Sequence, residues 1–263
     1  MMSLRKVGLG GLMFIYCMLS NSVLAADKPQ ACRNIEFNAA SYTVCEFSAI
    51  DADIRLFWGE GENPYGHFNA LDQALAIKNQ HLIFAMNGGM YHKDRSPVGL
   101  YIDEDGARST LQTRASSGNF GLLPNGVFHK TRNGLAVTET KTFQVKGLFP
   151  KFATQSGPML VIGDKLHPKF NKSSTSKRIR NGVGVSADGQ TVFFAMSKRP
   201  VNFHSFASLF KDLLETPNAL YLDGVISRLF DEDSGRNDYG VAMGPIIAVV
   251  GTHGPAAELE GAR

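Results

Sequence analysis

The chain has 263 residues, 43% of them hydrophobic and 19% charged. That apolar share supports a packed core and excludes a disordered or low-complexity protein. A formal net charge of +3 is too small for a nucleic-acid or anionic-membrane footprint.

In chain order, residues 1–25 read as a secretory signal peptide. Arg5 and Lys6 form a basic start, Val7 to Leu19 an apolar run, and Val23 and Ala25 a small-residue cleavage site before Ala26. The run is too short to cross a bilayer comfortably, although an uncleaved anchor helix is the alternative. Tyr16 before Cys17 is too bulky for a lipoprotein signal. Without this segment the chain keeps 25 basic and 24 acidic residues, so the basic character belongs partly to the signal. The expected location is the periplasm or the medium, with no stable membrane span after cleavage. Cys17 leaves with the signal, and the pair that remains, Cys32 and Cys45, reads as one structural disulfide in an oxidising compartment.

The rest of the chain is strand-rich. Strands are expected at Tyr42–Phe47, Ile54–Trp58, His81–Met86, Gly99–Ile102, Val127–Lys130, Gly182–Ser186, Thr191–Met196, Ala219–Leu222 and Val241–Val250. Turns such as Asp105-Gly106, Asn125-Gly126, Asn133-Gly134 and Asp188-Gly189 separate several of them. Two helices are expected, over 68–78 and over 203–214 with Asn202 as N-cap. The fold class is therefore α+β: a single domain over 26–251, with one strongly twisted, mostly antiparallel or mixed sheet, a few flanking helices and a flexible tail over 252–263.

Four polar, glycine-bearing stretches adjoin apolar strands. Asn87-Gly88-Gly89 ends one strand; its amide can serve a ligand, or it can be a hairpin turn. Gln155-Ser156-Gly157-Pro158 lacks the glycine pattern of a nucleophile elbow, so Ser156 suits polar contact better than covalent attack. Arg178 and Arg180 alternate before a strand and can bind phosphate or simply form a basic edge. Asp223-Gly224 places a carboxyl at the end of an apolar strand, as a candidate acid, base or nucleophile, or as an ordinary turn. The scattered histidines and short acidic runs give no metal motif, and no cofactor is expected.

Taken in order, Asn87-Gly88-Gly89-Met90-Tyr91, Gln155–Pro158, Arg180–Gly184 and Leu222-Asp223-Gly224 resemble the blocks of the phosphodiester glycosidase family, the family of the uncovering enzyme. Ser96–Tyr101 and Gly244–Ile247 resemble its bacterial branch. Where many members continue the last block with glycines, this chain has Val225-Ile226. The resemblance implies an exported hydrolase that removes a sugar from a glycosyl phosphodiester in envelope or surface glycan metabolism. Asp223 and Arg180 would then be catalytic, and Asn87, Gly88, Gly89, Gln155, Ser156, Gly157 and Gly224 would bind substrate. The partner would be a carbohydrate or glycosyl phosphate. The alternatives are an inactive glycan-binding module on the same fold, and a phosphodiesterase that cuts P–O.

Overall fold

The computed structural model describes residues 31–253. The expected signal peptide and all but the first two residues of the expected tail lie outside them. Thr252, assigned above to that tail, closes the strand Ile246–Thr252.

The single sheet expected from the sequence is three main sheets and a two-stranded ribbon, with every strand pair antiparallel. A seven-stranded sheet runs Cys32–Phe37, Ala40–Ser48, Thr191–Ser197, Asn181–Val185, Asn218–Tyr221, Met159–Ile162 and Lys165–Leu166. A five-stranded sheet runs Gly134–Glu139, Gly126–Thr131, Phe152–Ser156, Tyr101–Asp103 and Gly106–Ser109. Another runs Arg236–Asn237, Leu229–Asp231, Gln80–Asn87, Ile246–Thr252 and Asp53–Phe57.

Side-chain alternation explains this division. Strand residues two apart share a face, and here both faces are apolar. Phe47, Phe194 and Val183 of the seven-stranded sheet, Phe128 and Val137 of one five-stranded sheet, and Phe84, Ile247 and Val249 of the other meet in one shared core. The intervening residues point outward and are covered by helices. Ala85, Ile246 and Ala248 pack under helix Phe68–Ala76. Tyr42, Val44 and Ala195 pack against helix Phe203–Ser208 and its π-helical continuation Leu209–Leu213. Val127 and Ala153 pack around Phe143 of helix Thr140–Lys146. Strands buried on both faces read as plain apolar runs, which hides how many sheets they form.

Asn202 caps its helix as expected, its Oδ1 accepting from Ser205 N at 2.9 Å. The helix Thr140–Lys146 was not expected. Its single turn-pair has little apolar periodicity, and it is held by the Glu139 carboxylate on the amides of Lys141 and Thr142 and ended by left-handed Gly147.

Cys32 and Cys45 face each other in register across the first hairpin and form a disulfide. A loop of this length is worth about 3 kcal/mol through the unfolded chain. Cys32→Ala/Cys45→Ala should therefore lose about that much stability in urea unfolding without a change in strand content by circular dichroism. A loss well under about 1 kcal/mol would show that the hairpin is fixed by its other contacts.

Candidate active site

The three main sheets meet at one end of the shared core, where Asn87, Ser156, Asn181 and Asp223 lie at or just beyond strand ends. All four are buried. Asn87 Oδ1 accepts from the Arg228 backbone N at 3.1 Å, and its Nδ2 donates to Asn181 Oδ1 at 3.1 Å. Asn181 Oδ1 also accepts from Asp223 N at 3.3 Å, while its Nδ2 donates to Asp223 O at 2.7 Å and Ser227 Oγ at 2.8 Å. Ser156 Oγ donates to Leu222 O at 2.7 Å. Buried polar atoms must be paired, and these pairs fix residues 222–228 as one rigid segment. Asn87 and Ser156 thus hold the segment that carries Asp223, Asn87 through Arg228 N and through Asn181, and Ser156 through Leu222 O.

Asp223 is 7% exposed. Burial pushes its carboxyl up to about 6, against the opposing effect of backbone amides. Its Oδ1 accepts from Gly224 N at 2.6 Å and Val225 N at 2.9 Å. The second bond comes from the backbone, so valine makes it as well as the glycine common in the family. The Val225 side chain stands 89% exposed, and Ile226 packs beside the cluster under helix Phe68–Ala76.

Gly224 has a strict steric reason. A Cβ there would overlap the Tyr221 hydroxyl. Gly88 and Gly89 bring their backbone against Ile246 and Thr154, whose Oγ1 donates to Gly88 O at 2.7 Å. A Cβ on Gly157 would meet Asn125.

Gln155 sits apart from this cluster. Thr154 and Ser156 face Gly88 and Leu222, so alternation sends Gln155 to the other face. There its Oε1 accepts from Leu100 N and Gln112 N, and its Nε2 donates to Gln112 O and Thr140 Oγ1. Its amide ties down the loop around Gln112 and has no spare donor for a sugar.

Arg180 is 1% exposed, with its guanidinium 3.5 Å from the Phe203 ring centroid and 5.4 Å from that of Tyr221. Its Nε donates to Val201 O and Nη2 to Ser176 O, but Nη1 has no partner. Among the described residues, no carboxylate lies within 4 Å of it. It reaches the Asp223 segment through Tyr221, without a direct bond to Asp223. Burial and the Asp223 charge raise the Tyr221 phenol to about 12, with Arg180 opposing.

The sequence did not mark Arg228. It is 7% exposed, also has no ion-pair partner, and its Nη1 is likewise buried and unpartnered. Arg228 in Ser-Arg-Leu carries no motif; the one usable signal was its place in the segment after Asp223-Gly224. Asn181 was missed because it follows the more conspicuous Arg178 and Arg180.

Comparison with known proteins decides the family. The model of the phosphodiester glycosidase family matches residues 80–240. The chain belongs to that family. It is 33% identical over 178 residues to the uncharacterised protein YigE of Escherichia coli K12, covering 67% of this chain and 69% of YigE. Among solved structures, the catalytic domain of zebrafish N-acetylglucosamine-1-phosphodiester alpha-N-acetylglucosaminidase, auto-inhibited by its pro-peptide, matches with a TM-score of 0.57 at 13% identity, over 83% of this chain and 81% of that one. A protein of Burkholderia pseudomallei matches at 0.49 and 10% identity, over 80% of this chain and 74% of that one.

Wider surface hollows of about 1050 and 540 Å³ are lined by none of Asn87, Gln155, Ser156, Arg180, Asn181, Asp223 and Arg228. Asp103 and Asp223 are the raised carboxyls among the described residues. Asp103 has the ion-paired Arg108 beside it, whereas Asp223 is near buried guanidiniums without ion-pair partners, so chemistry outranks size in locating the site. Among the described residues, no three His, Cys, Asp or Glu side chains cluster as a metal site would require.

Gly224→Ala should cost about 1–3 kcal/mol by forcing the segment off Tyr221. Tyr221→Phe removes the atom in the way, so the alanine should cost less in that background. A double-mutant cycle by urea unfolding reads the difference, expected at about 0.5 kcal/mol or more; strict additivity would refute the contact.

Proposed function

We propose that this protein is an exported hydrolase that releases a sugar from a glycosyl phosphodiester of the cell envelope or surface. Membership of the phosphodiester glycosidase family supports the reaction class. The observation that carries the residue assignment is the raised Asp223 carboxyl on a rigid segment, beside buried guanidiniums with no acidic partner.

The chemistry follows from the leaving group. Hydrolysis forms a bond from a water oxygen to the anomeric carbon and breaks the bond from that carbon to the phosphate oxygen. The electron pair departs on a phosphomonoester, which is already anionic and needs less protonation than an alcohol. One carboxylate can then do work that usually takes two. Asp223 serves the anomeric carbon directly or takes the proton of the attacking water. Arg180, with an unspent donor, holds the departing phosphate. Asn87, Asn181 and Ser156 act as positioning residues for Asp223.

Incubating the purified protein with sugar 1-phosphodiesters in oxygen-18 water tests this reading. Label in the sugar supports it, and label in the phosphate supports P–O cleavage instead. Saturable glycan binding without turnover supports a binding module.

Asp223 also gives a stability signature. Its folded pKa of about 6 lies above the unfolded value of about 3.9. The folded state therefore prefers the neutral acid, and stability falls as pH rises from about 4 through about 6. Two units of difference amount to about 3 kcal/mol. Asp223→Asn keeps an acceptor oxygen for Gly224 and Val225 but cannot ionise. It should be inactive, yet more stable than the parent at neutral pH by about 2–3 kcal/mol, with the gap closing below about pH 4. A variant no more stable at neutral pH would show that the carboxylate is not under strain.

A further inference from the structure

We propose that Arg228 is a second anion-holding residue of this site, and that the substrate carries an anionic group in addition to the scissile phosphate. The proposal rests on the hydrolase reading above and extends it to the class of substrate.

The ion-paired arginines, Arg33, Arg55, Arg108 and Arg236, all lie nearer the surface. The two most deeply buried, Arg180 and Arg228, have no carboxylate within 4 Å among the described residues, and each leaves Nη1 without a partner there. Burying an unpaired guanidinium costs several kcal/mol. A fold keeps two of them where a ligand supplies the missing charge.

The two do not form one clamp. Arg180 and Asn181 are neighbours in an extended segment, so their side chains leave on opposite faces. Arg180 lies with Phe203 and Tyr221, beside the cluster under helix Phe203–Ser208. Arg228 starts on the other side of the amide pair, its backbone N on Asn87 Oδ1. Its Nη2 fills the space a Cβ on Gly240 would occupy, and Gly240 has φ of +151°. The flanking residues Tyr91, Ile226 and Phe230 pack on the cluster under helix Phe68–Ala76. Two phenols report the same arrangement. Tyr221 is affected by the charges of Asp223 and Arg180, and Tyr91 by those of Asp223, Arg95 and Arg228. Asp223 is thus close enough to both Tyr–Arg pairs to act on each phenol, and each guanidinium would meet its own anionic group.

A phosphoryl group on the aglycone side or a carboxylate on the sugar would both supply that second charge. Three probes separate them: the methyl phosphodiester of a sugar 1-phosphate, the methyl diphosphate ester of the same sugar, and the methyl phosphodiester of the matching uronic acid 1-phosphate. Each is made on glucose, galactose and N-acetylglucosamine cores. The wild-type protein should favour one doubly anionic probe by about tenfold or more in kcat/KM, the worth of one charge-assisted bond. Arg228→Gln should bring that ratio close to one, and Arg228→Lys should keep part of it. A wild-type ratio near one overturns the inference and needs no variant to fold. So does a preference that survives Arg228→Gln. Turnover of the singly charged probe without preference leaves the hydrolase reading standing, whereas no turnover of any probe counts against both.

Discussion

Two buried amides, Asn87 and Asn181, join the ends of two different sheets, and the position of Asp223 depends on them. Each amide commits both its oxygen and its nitrogen: Asn87 to Arg228 and Asn181, and Asn181 to Asn87, Asp223 and Ser227. In a low-dielectric interior such a network is worth having only when every member is satisfied. No other side chain of this size offers a donor and an acceptor on one planar group. Aspartate at either position would put a second charge beside Asp223, and leucine would strand the backbone groups of 223 and 228. Ser156 adds the tie from a third sheet, at Leu222 O. The segment from Leu222 to Arg228 is therefore set by all three sheets at once, although it has no regular structure of its own.

That rigidity lets the fold tolerate groups that oppose folding. A carboxyl raised to about 6, a buried phenol hydroxyl without a hydrogen-bond partner and two guanidiniums with no ion-pair partner among the described residues lie around one strand end. They are carried by the shared core of three sheets, with its dense aromatic packing around Phe47, Phe84, Phe128 and Phe194. Local strain of this kind concentrates at functional sites and is compensated elsewhere.

The sequence made nine of the nineteen described strands legible and left their grouping hidden. All nine expected strands overlap observed ones, because β-branched and aromatic runs between Gly turns mark a strand wherever it packs. Phe152–Ser156 and Met159–Ile162 were missed because Gln155-Ser156-Gly157-Pro158 between their apolar residues looks like a loop. That omission also decided Gln155. Once 152–156 is a strand, alternation alone separates Gln155 from Ser156. Asp223 was visible as an acidic residue ending an apolar run. Arg228 was not, because its burial comes from Gly240 and the Tyr91 cluster, which local composition cannot report. Asn181 is a similar case, since its partners lie 42 and 94 residues away.

The Val225-Ile226 departure is best judged by what the backbone does there. In the observed geometry Asp223 Oδ1 is held by two successive main-chain amides, so the residue at 225 bears on that hold only through its freedom to place its N–H. Gly224 is different, because Tyr221 occupies the space of its side chain. The block thus has one position where glycine is a steric necessity and a neighbour where it is a convenience. Valine at the second leaves the carboxyl's support intact and exposes an apolar side chain directly beside Asp223. In the family's terms, the change alters what the site's rim presents to a substrate and not whether its carboxyl is held.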